Sequence, residues 1–338
     1  MFEKVTKFIQ ELQKSLDLEL YLVGGAVRDI LQGQEINDYD FTTPILPDDL
    51  EEKIIAAGFK PYLIGKKFGT IGLKYDGKYI EITTFRNEIY AGSSRKPKVE
   101  FHNDIKYDLE RRDLTINAMA ISAAGHIIDL FGGEGDLQSK MVKCVGNPDL
   151  RFEEDALRML RAIRFAGVFE FQIEKETFLS IQKNHWRLLN ISKERWVMEL
   201  DKILQTTQID YALDLLLESG LMSIIIPENS LLDLSIWQDF GLNNFWSGVK
   251  NHINQIDEKF ISQRWAVLLS SSANLFILSN IINQGKFSLS KTQIFERYTD
   301  VINQDYFKKI QAQIALKSGK YLKFSNQRLI DIEDFLLK

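Results

Sequence analysis

Apolar positions in this chain follow two patterns, and the change between them falls near residue 137. Before it, short runs alternate apolar and polar residues as half-buried strands do. LYLVG (20–24), DYDFTT (38–43), TIGLKY (70–75), YIEITTF (79–85) and INAMAIS running into HIIDLF (116–131) are the strand candidates. A helix starts at Ala26, just after a Gly pair, and another fits 48–57. MFEKVTKFIQELQKSL at the N-terminus, with Glu3, Glu11 and the following Asp17, reads as an amphipathic surface helix. After about 138 the strand signals stop and a 3.6-residue period takes over at 153–168, 175–184, 192–205, 209–219, 258–270 and 320–337. The pattern predicts an α+β chain: a small head of mixed sheet and helices, then an all-α arm.

Composition narrows this only slightly. At 338 residues the chain holds two to four units. Hydrophobic residues at 45% and charged residues at 26% are ordinary for a globular protein. No apolar run approaches the roughly 20 residues of a membrane span, and the charged N-terminus is not a signal peptide. One cysteine, Cys144, excludes an internal disulfide and a cysteine zinc cluster, which fits a reducing cytoplasm. The net charge of −5 conceals an uneven distribution. Residues 201–275 hold 4 basic and 9 acidic side chains, whereas 276–338 hold 10 basic and 6 acidic. Lys308, Lys309, Lys317, Lys320, Lys323 and Arg328 contribute to that basic end, which suits RNA but also suits a solvated helical face.

Candidate chemistry lies in a few short runs. In GGAVRD (24–29) a strand ends at Gly24 and Gly25 and a helix begins, so free backbone N–H groups and the positive helix end face outward. Such a turn takes a phosphate, and Arg28, one turn in, can add a bidentate contact. Asp38 and Asp40 sit i, i+2 on a strand and leave the same face. Two carboxylates that close need a cation, and oxygen ligands near a phosphate site imply Mg²⁺, as a pair of ions, with Glu81 as a third oxygen donor.

RRDLTINAM places Arg111, Arg112 and Asp113 at the mouth of an element, with Asn117 one turn later. Arg112 suits a triphosphate or ribose, and Asp113 and Asn117 suit ribose hydroxyls; an ion pair holding an N-cap fits the same residues. In EEDALRMLRAIRF (153–165), a continuous helix puts Glu154, Arg158 and Arg161 within about 60° of one another, with Asp155 flanking. An acceptor beside an Arg donor accepts cytosine and adenine and mismatches guanine and uracil. A plain salt-bridge ladder is the competing reading. Walker, HExxH and GxSxG motifs are absent, and His102, His126, His185 and His252 are scattered.

Taken in order over residues 20–205, GGAVRDILQG…DYD, GKKFGT, EITTFR, DLERRDLTINAMA, IIDLFGGEGDL, VGNPDLRFEEDALRMLRAIRF and ISKERWVMEL resemble the bacterial class II tRNA nucleotidyltransferases. These CCA-adding enzymes belong to the polymerase-β-like nucleotidyltransferase superfamily. The resemblance implies a catalytic head over 1–137, a base-reading neck over 138–205, a helical body over 206–275 and a tRNA-binding tail over 276–338. It implies that Gly25 and Arg28 bind the triphosphate, Asp38 and Asp40 bind Mg²⁺, and Arg112 contacts the nucleotide. Asp155 and Arg158 would template the base with Arg161 and Arg164 supporting them, and Ser192, Glu194, Arg195 and Glu199 would brace the neck.

The implied reaction is untemplated addition of C, C and A to the 3′ end of tRNA from CTP and ATP, with tRNA held at its acceptor end and elbow. Lys308, Lys309, Lys320 and Lys323 are the candidate RNA contacts. An A-adding or CC-adding partial enzyme, or a poly(A) polymerase, is the alternative. Gly69-Thr70 in GKKFGT is the tRNA-enzyme form rather than the poly(A) form. The family's Y-x-D-x-R-x-P loop here reads Tyr90-Ala91-Gly92-Ser93-Ser94-Arg95-Lys96-Pro97, near full length but without its Asp.

Overall fold

A computed structural model describes residues 1–36, 38–89, 98–206, 209–225, 243–270 and 305–337. It contains two compact units, Met1–Asp155 with Gln172–Thr177, and Ala156–Phe171 with Phe178–Lys338.

The first unit is built on a six-stranded sheet of β1 (Tyr21–Val23), β2 (Tyr39–Thr43), β3 (Thr70–Tyr75), β4 (Lys78–Thr84), β7 (Met119–Ser122) and β8 (Ile127–Asp129). Its order is β3-β4-β2-β1-β7-β8, with β2 and β4 parallel and the other neighbours antiparallel. These strands sit where alternation places them, because every second residue is apolar and buried: Phe41, Ile71, Leu73, Ile80 and Ile82 are at most 1% exposed. The face they form lies with α1 (Phe2–Leu16), whose Val5, Ile9, Leu12 and Leu16 make one buried stripe, and with the buried Leu50 and Ile54 of α3 (Pro47–Ala56). Phe8 of α1 meets the rings of Tyr39 and Tyr75.

The opposite face is only half covered. Val23 and Ala120 pack there against Leu109 of α4 (Ile105–Glu110), with Tyr21, Ile105 and Ile128 around them. On β2, β4 and β3 the same face carries Asp40, Glu81, Tyr79, Gly72 and Lys74, and all but Gly72 are exposed. The outer edge of β3 is met at its centre by Tyr62. Tyr62 N–H donates to Gly72 O (2.7 Å) and Gly72 N–H to Tyr62 O (3.0 Å).

A two-stranded ladder, β5 (Arg86–Ile89) with β6 (Lys98–Phe101), follows β4 and has no counterpart in the sequence pattern. The loop 90–97, where the family Asp is missing, lies outside the described residues. α5 (Gly133–Gln138) straddles residue 137, and beyond it β9 (Met141–Val142) and α6 (Pro148–Glu154) still belong to the first unit. Val145 N–H donates to Asp113 O (3.2 Å) and Arg151 to Glu110 O (3.2 Å), and β9 pairs with β10 (Gln172–Ile173).

The second unit is helical in its described residues, apart from its connecting turns. It contains α7 (Leu157–Phe169), α9 (Lys193–Leu204), α10 (Ile209–Glu218), α11 (Leu221–Ile225), Asn243–Asn254, 261–270, Asp305–Tyr321 and Asn326–Leu337; α8 (Lys175–Asn184) belongs to both units. α7 packs on α9 and α10. Gly167 lets the last pair approach closely, since a Cβ on it would lie 2.6 Å from that of Ala212. The pattern read as one helix over 320–337 is two elements, because Lys323 takes a left-handed conformation (φ 59°) between them. Residues 226–242 of the expected body and 271–304, including the start of the expected tail, lie outside the described residues.

Candidate functional site

β1 runs into Gly24, whose φ of 77° turns the chain into α2 (Gly25–Leu31). The amides of Gly25 and Ala26 open the first helical turn, where no intrahelical acceptor exists. The positive φ requires glycine at 24, and so does its neighbour: a Cβ there would lie 2.7 Å from Nη1 of Arg112. A Cβ on Gly25 would lie 3.3 Å from Nη2 of Arg28.

Arg28 is buried and donates to Asp29 Oδ1 (2.9 Å from Nε) and to Asn117 Oδ1 (2.6 Å from Nη1). Asn117 in turn donates to Asp113 Oδ1 (3.2 Å), which also accepts Leu114 N–H at 2.9 Å. The Asp113 and Asn117 side chains thus form a buried brace behind Arg28. Arg111 and Arg112 share Asp108, which is fully buried: Arg111 reaches its Oδ1 at 2.7 Å and Arg112 its Oδ2 at 3.2 Å. Arg111 also pairs with Glu88 (3.3 Å). Burial raises the Asp108 carboxyl, but the two guanidiniums outweigh it and hold the group below the usual carboxylate range. Arg112 alone of that pair reaches the glycine turn, and its Nε is buried without a hydrogen-bond partner among the described residues. Asp108, Asp29 and Glu88 escaped the sequence reading. The i, i+3 and i, i+4 spacing of Asp108 to Arg111 and Arg112 was its only signal.

Asp38 and Asp40 flank the buried Tyr39 and keep solvent access. Asp40 lies opposite Glu81 in the parallel β2–β4 register. Desolvation pushes the Asp40 carboxyl up, the Arg112 guanidinium pulls it back, and the Asp38 charge adds to the rise. Glu81 is raised by desolvation and then by Asp40 and Asp38. Three mutually repelling carboxyls around one strand pair, beside a guanidinium that also touches the phosphate-type turn, fit a divalent cation with hard oxygen ligands. Among the described residues no three acidic, His or Cys side chains enclose an ion unaided, so oxygens from a ligand or water complete such a site.

The base-reading run is not one helix. α6 ends at Glu154, Asp155 is extended (φ −147°, ψ 103°), and α7 starts after Ala156. The expectation that Glu154, Arg158 and Arg161 share a face of one continuous helix is therefore corrected. Glu154 pairs with Arg151 (3.1 Å) in the first unit, while Arg158 and Arg161 sit on α7 in the second. The break follows from Asp155 closing the last turn of α6, its N–H on Arg151 O (3.2 Å), and then leaving the helix as Asp readily does at an end. Arg158 is buried. In α7 and α9, Glu199, itself buried, receives Arg164 at 2.6 Å and Arg161 at 3.8 Å, and Arg164 lies 4.1 Å from the Phe165 ring centre. Glu199 thus ties α9 to α7, in keeping with a bracing part.

Of the candidate RNA contacts, Lys320 is exposed, and Lys323 forms a surface pair with Glu194 (2.8 Å). The side chains of Lys308 and Lys309 lie outside the described residues.

The poly A polymerase head domain family matches residues 20–143, and the family described as the probable RNA and SrmB-binding site of polymerase A matches 170–232. The chain is 39% identical over 252 residues to the CCA-adding enzyme of Bacillus pumilus (strain SAFR-032), covering 72% of this chain and 62% of that one. With the CCA-adding enzyme of Geobacillus sp. (strain WCH70) it shares 42% over 221 residues, 65% of this chain and 54% of that one. The matched region thus spans less than two thirds of the length of these curated relatives. Among solved structures, the Bacillus stearothermophilus CCA-adding enzyme in complex with CTP superposes with a TM-score of 0.64 at 27% identity, over 99% of this chain and 81% of that one. Among the described residues no helix is long and apolar enough to cross a membrane.

Proposed function

Because the chain belongs to the CCA-adding enzyme and poly A polymerase family of nucleotidyltransferases, we propose that it completes the 3′ end of tRNA with C, C and A, in the cytoplasm. The 3′-hydroxyl of the acceptor attacks the α-phosphorus of CTP or ATP and loses its proton. A new phosphodiester bond forms, the α–β bridging P–O bond breaks, and pyrophosphate leaves.

The observation that carries this reading is the placement of Arg112. One guanidinium lies against Gly24 and acts on Asp40, so the phosphate turn and the carboxylates belong to one site. Gly24 and Gly25 leave room for the triphosphate, and Arg28, fixed by Asp29 and Asn117, holds the turn that meets it. Arg111, a nucleotide-binding candidate alongside Arg112, pairs with Asp108 and Glu88. Asp38, Asp40 and Glu81 are the residues that would hold Mg²⁺, as a pair of ions; when bound, it neutralises phosphate charge and acidifies the attacking hydroxyl. Positioning and electrostatics then supply most of the acceleration.

Asp155 and Arg158 read the incoming base, Asp155 accepting from the amino group of C or A and Arg158 donating to the ring nitrogen beside it. Arg161 and Arg164, held by Glu199, support them. Lys308, Lys309, Lys320 and Lys323 contribute to the grip on tRNA.

Incubating the pure protein with tRNA lacking its CCA end and each labelled nucleoside triphosphate tests this. CTP alone should extend by two residues, and CTP with ATP by three. Two residues from CTP with no third from ATP would mark a CC-adding enzyme, one A added only to tRNA already ending in CC an A-adding one, and long A tracts a poly(A) polymerase; no extension of either tRNA would overturn the reading.

A further inference from the structure

Beside the carboxylates, the bare half of the sheet carries a feature that neither nucleotide binding nor metal binding uses. Tyr79 lies two residues before Glu81 on β4, on the same open face, and is 50% exposed. Its ring lies over Gly72 of β3: a Cβ there would fall 2.3 Å from the Tyr79 hydroxyl, so only glycine leaves room for the ring to lie down. Tyr62 stands next to it with ring centres 5.7 Å apart, and Ile64 beyond is 99% exposed. Lys74 is the cross-strand partner of Tyr79 and is exposed. Two aromatic rings that keep part of their surface in solvent on the face that carries the carboxylates forgo apolar burial the fold could otherwise gain.

We propose that Tyr79 and Tyr62 form the platform on which the 3′-terminal base of the RNA acceptor stacks, with Lys74 meeting its phosphate. The proposal rests on the polymerising activity proposed above. Exposed rings alternating with a cation are the chemistry by which single-stranded RNA is held without regard to sequence. That indifference is what this acceptor requires, because its last base changes with every addition. The position fits as well. Tyr79 is one strand and two residues from Asp40, about 8 Å between backbone positions from strand geometry, which is close to the span of one nucleotide. A base on Tyr79 therefore leaves its ribose hydroxyl pointing along the sheet toward Asp38 and Asp40. A protein partner would also value exposed apolar side chains, but it would not need the rings to lie beside the carboxylates.

The test uses a tRNA acceptor-stem hairpin whose 3′-terminal residue is 2-aminopurine, mixed with the full chain in the absence of nucleoside triphosphate. Stacking should quench its fluorescence. Tyr79→Leu, which keeps an apolar cover over Gly72 but has no π face, should restore the fluorescence and raise KM for the acceptor about five-fold or more. KM for CTP and the urea midpoint should stay where they are, and Tyr79→Phe and Tyr79→Trp should behave as wild type. If Tyr79→Leu fails to fold, Tyr62→Ala carries the same readout. Persistent quenching with an acceptor KM within about two-fold of wild type overturns the platform, whatever the activity. Loss of quenching in a protein that extends no RNA leaves the platform standing and overturns the polymerising activity instead.

Discussion

At Asp155 the backbone leaves helical geometry, and with Ala156 it separates a helix of the first unit from one of the second. Asp155 therefore stands outside the side-chain spacing of either helix, and the prediction for it is sharp. Asp155→Ala should let UTP and GTP gain on CTP and ATP, with overall rate falling as well, because only cognate transition states use the lost acceptor. kcat/KM for all four nucleotides on acceptors ending before each added position measures it. An equal loss with every nucleotide would show that Asp155 reads nothing. Arg161→Ala should cost rate with little loss of selectivity, since Arg161 engages Glu199.

Asp108 makes a different prediction at the same scale. Removing a fully buried charge that two guanidiniums share should cost about 3–5 kcal/mol. Its folded pKa lies below the unfolded value, so its contribution is complete above about pH 4 and is lost as pH falls through the folded value. The stability gap between wild type and Asp108→Asn, from urea midpoints, should thus be full at neutral pH and shrink in acid.

Between elements, the closest approach tests the packing of α7 on α10. Gly167→Ala adds a methyl 2.6 Å from the Ala212 methyl, and neither can rotate away. Overpacking of about 1–3 kcal/mol should outweigh the roughly 1 kcal/mol of helix propensity gained, and Ala212→Gly in the same chain should rescue the urea midpoint.

Elements also show what the sequence made legible. β1, β2, β3 and β4 lie within a residue or so of their expected limits, since each carries alternating apolar residues over one buried face. The glycine turn and the carboxylates were readable because their chemistry depends on local spacing. The break at Asp155 was not, because the apolar period continues through Phe152, Ala156 and Met159 on both sides of it. The β5–β6 ladder was hidden for another reason: Arg86-Asn87-Glu88 has no apolar alternation, and the two strands are paired through their backbones, with the Arg86–Glu88 pair (3.0 Å) lying along β5 itself. Nor could spacing reveal that Asn117, held by Asp113, meets Arg28, since that contact spans 89 residues.

On the scale of the whole molecule, the proposed RNA partner has to be held by a chain of net charge −5. If the basic 276–338 segment carries that grip, affinity for tRNA should fall with salt according to the number of phosphates contacted. Neutralising Lys308, Lys309, Lys320 and Lys323 together should weaken binding and flatten the salt dependence while kcat stays unchanged. Lys323 should contribute least, being paired with Glu194. Filter binding across a salt series, alongside saturating kinetics, gives both numbers; an unmoved affinity would return the grip to other surfaces.

The bridge between Tyr62 and Gly72 also closes an edge. β3 is the last strand of its sheet, and an open strand edge is a template on which a second chain can add itself. The bridge occupies the centre of that edge with backbone bonds of 2.7 and 3.0 Å, leaving only short stretches unpaired on either side. The segment bearing Tyr62 is thus a guard against fibrous self-assembly, and the guard is made of peptide groups, so changing the tyrosine ring leaves it intact. The ring is free to be selected for what it touches, while the backbone beneath it keeps crowded copies of the chain from adding to one another.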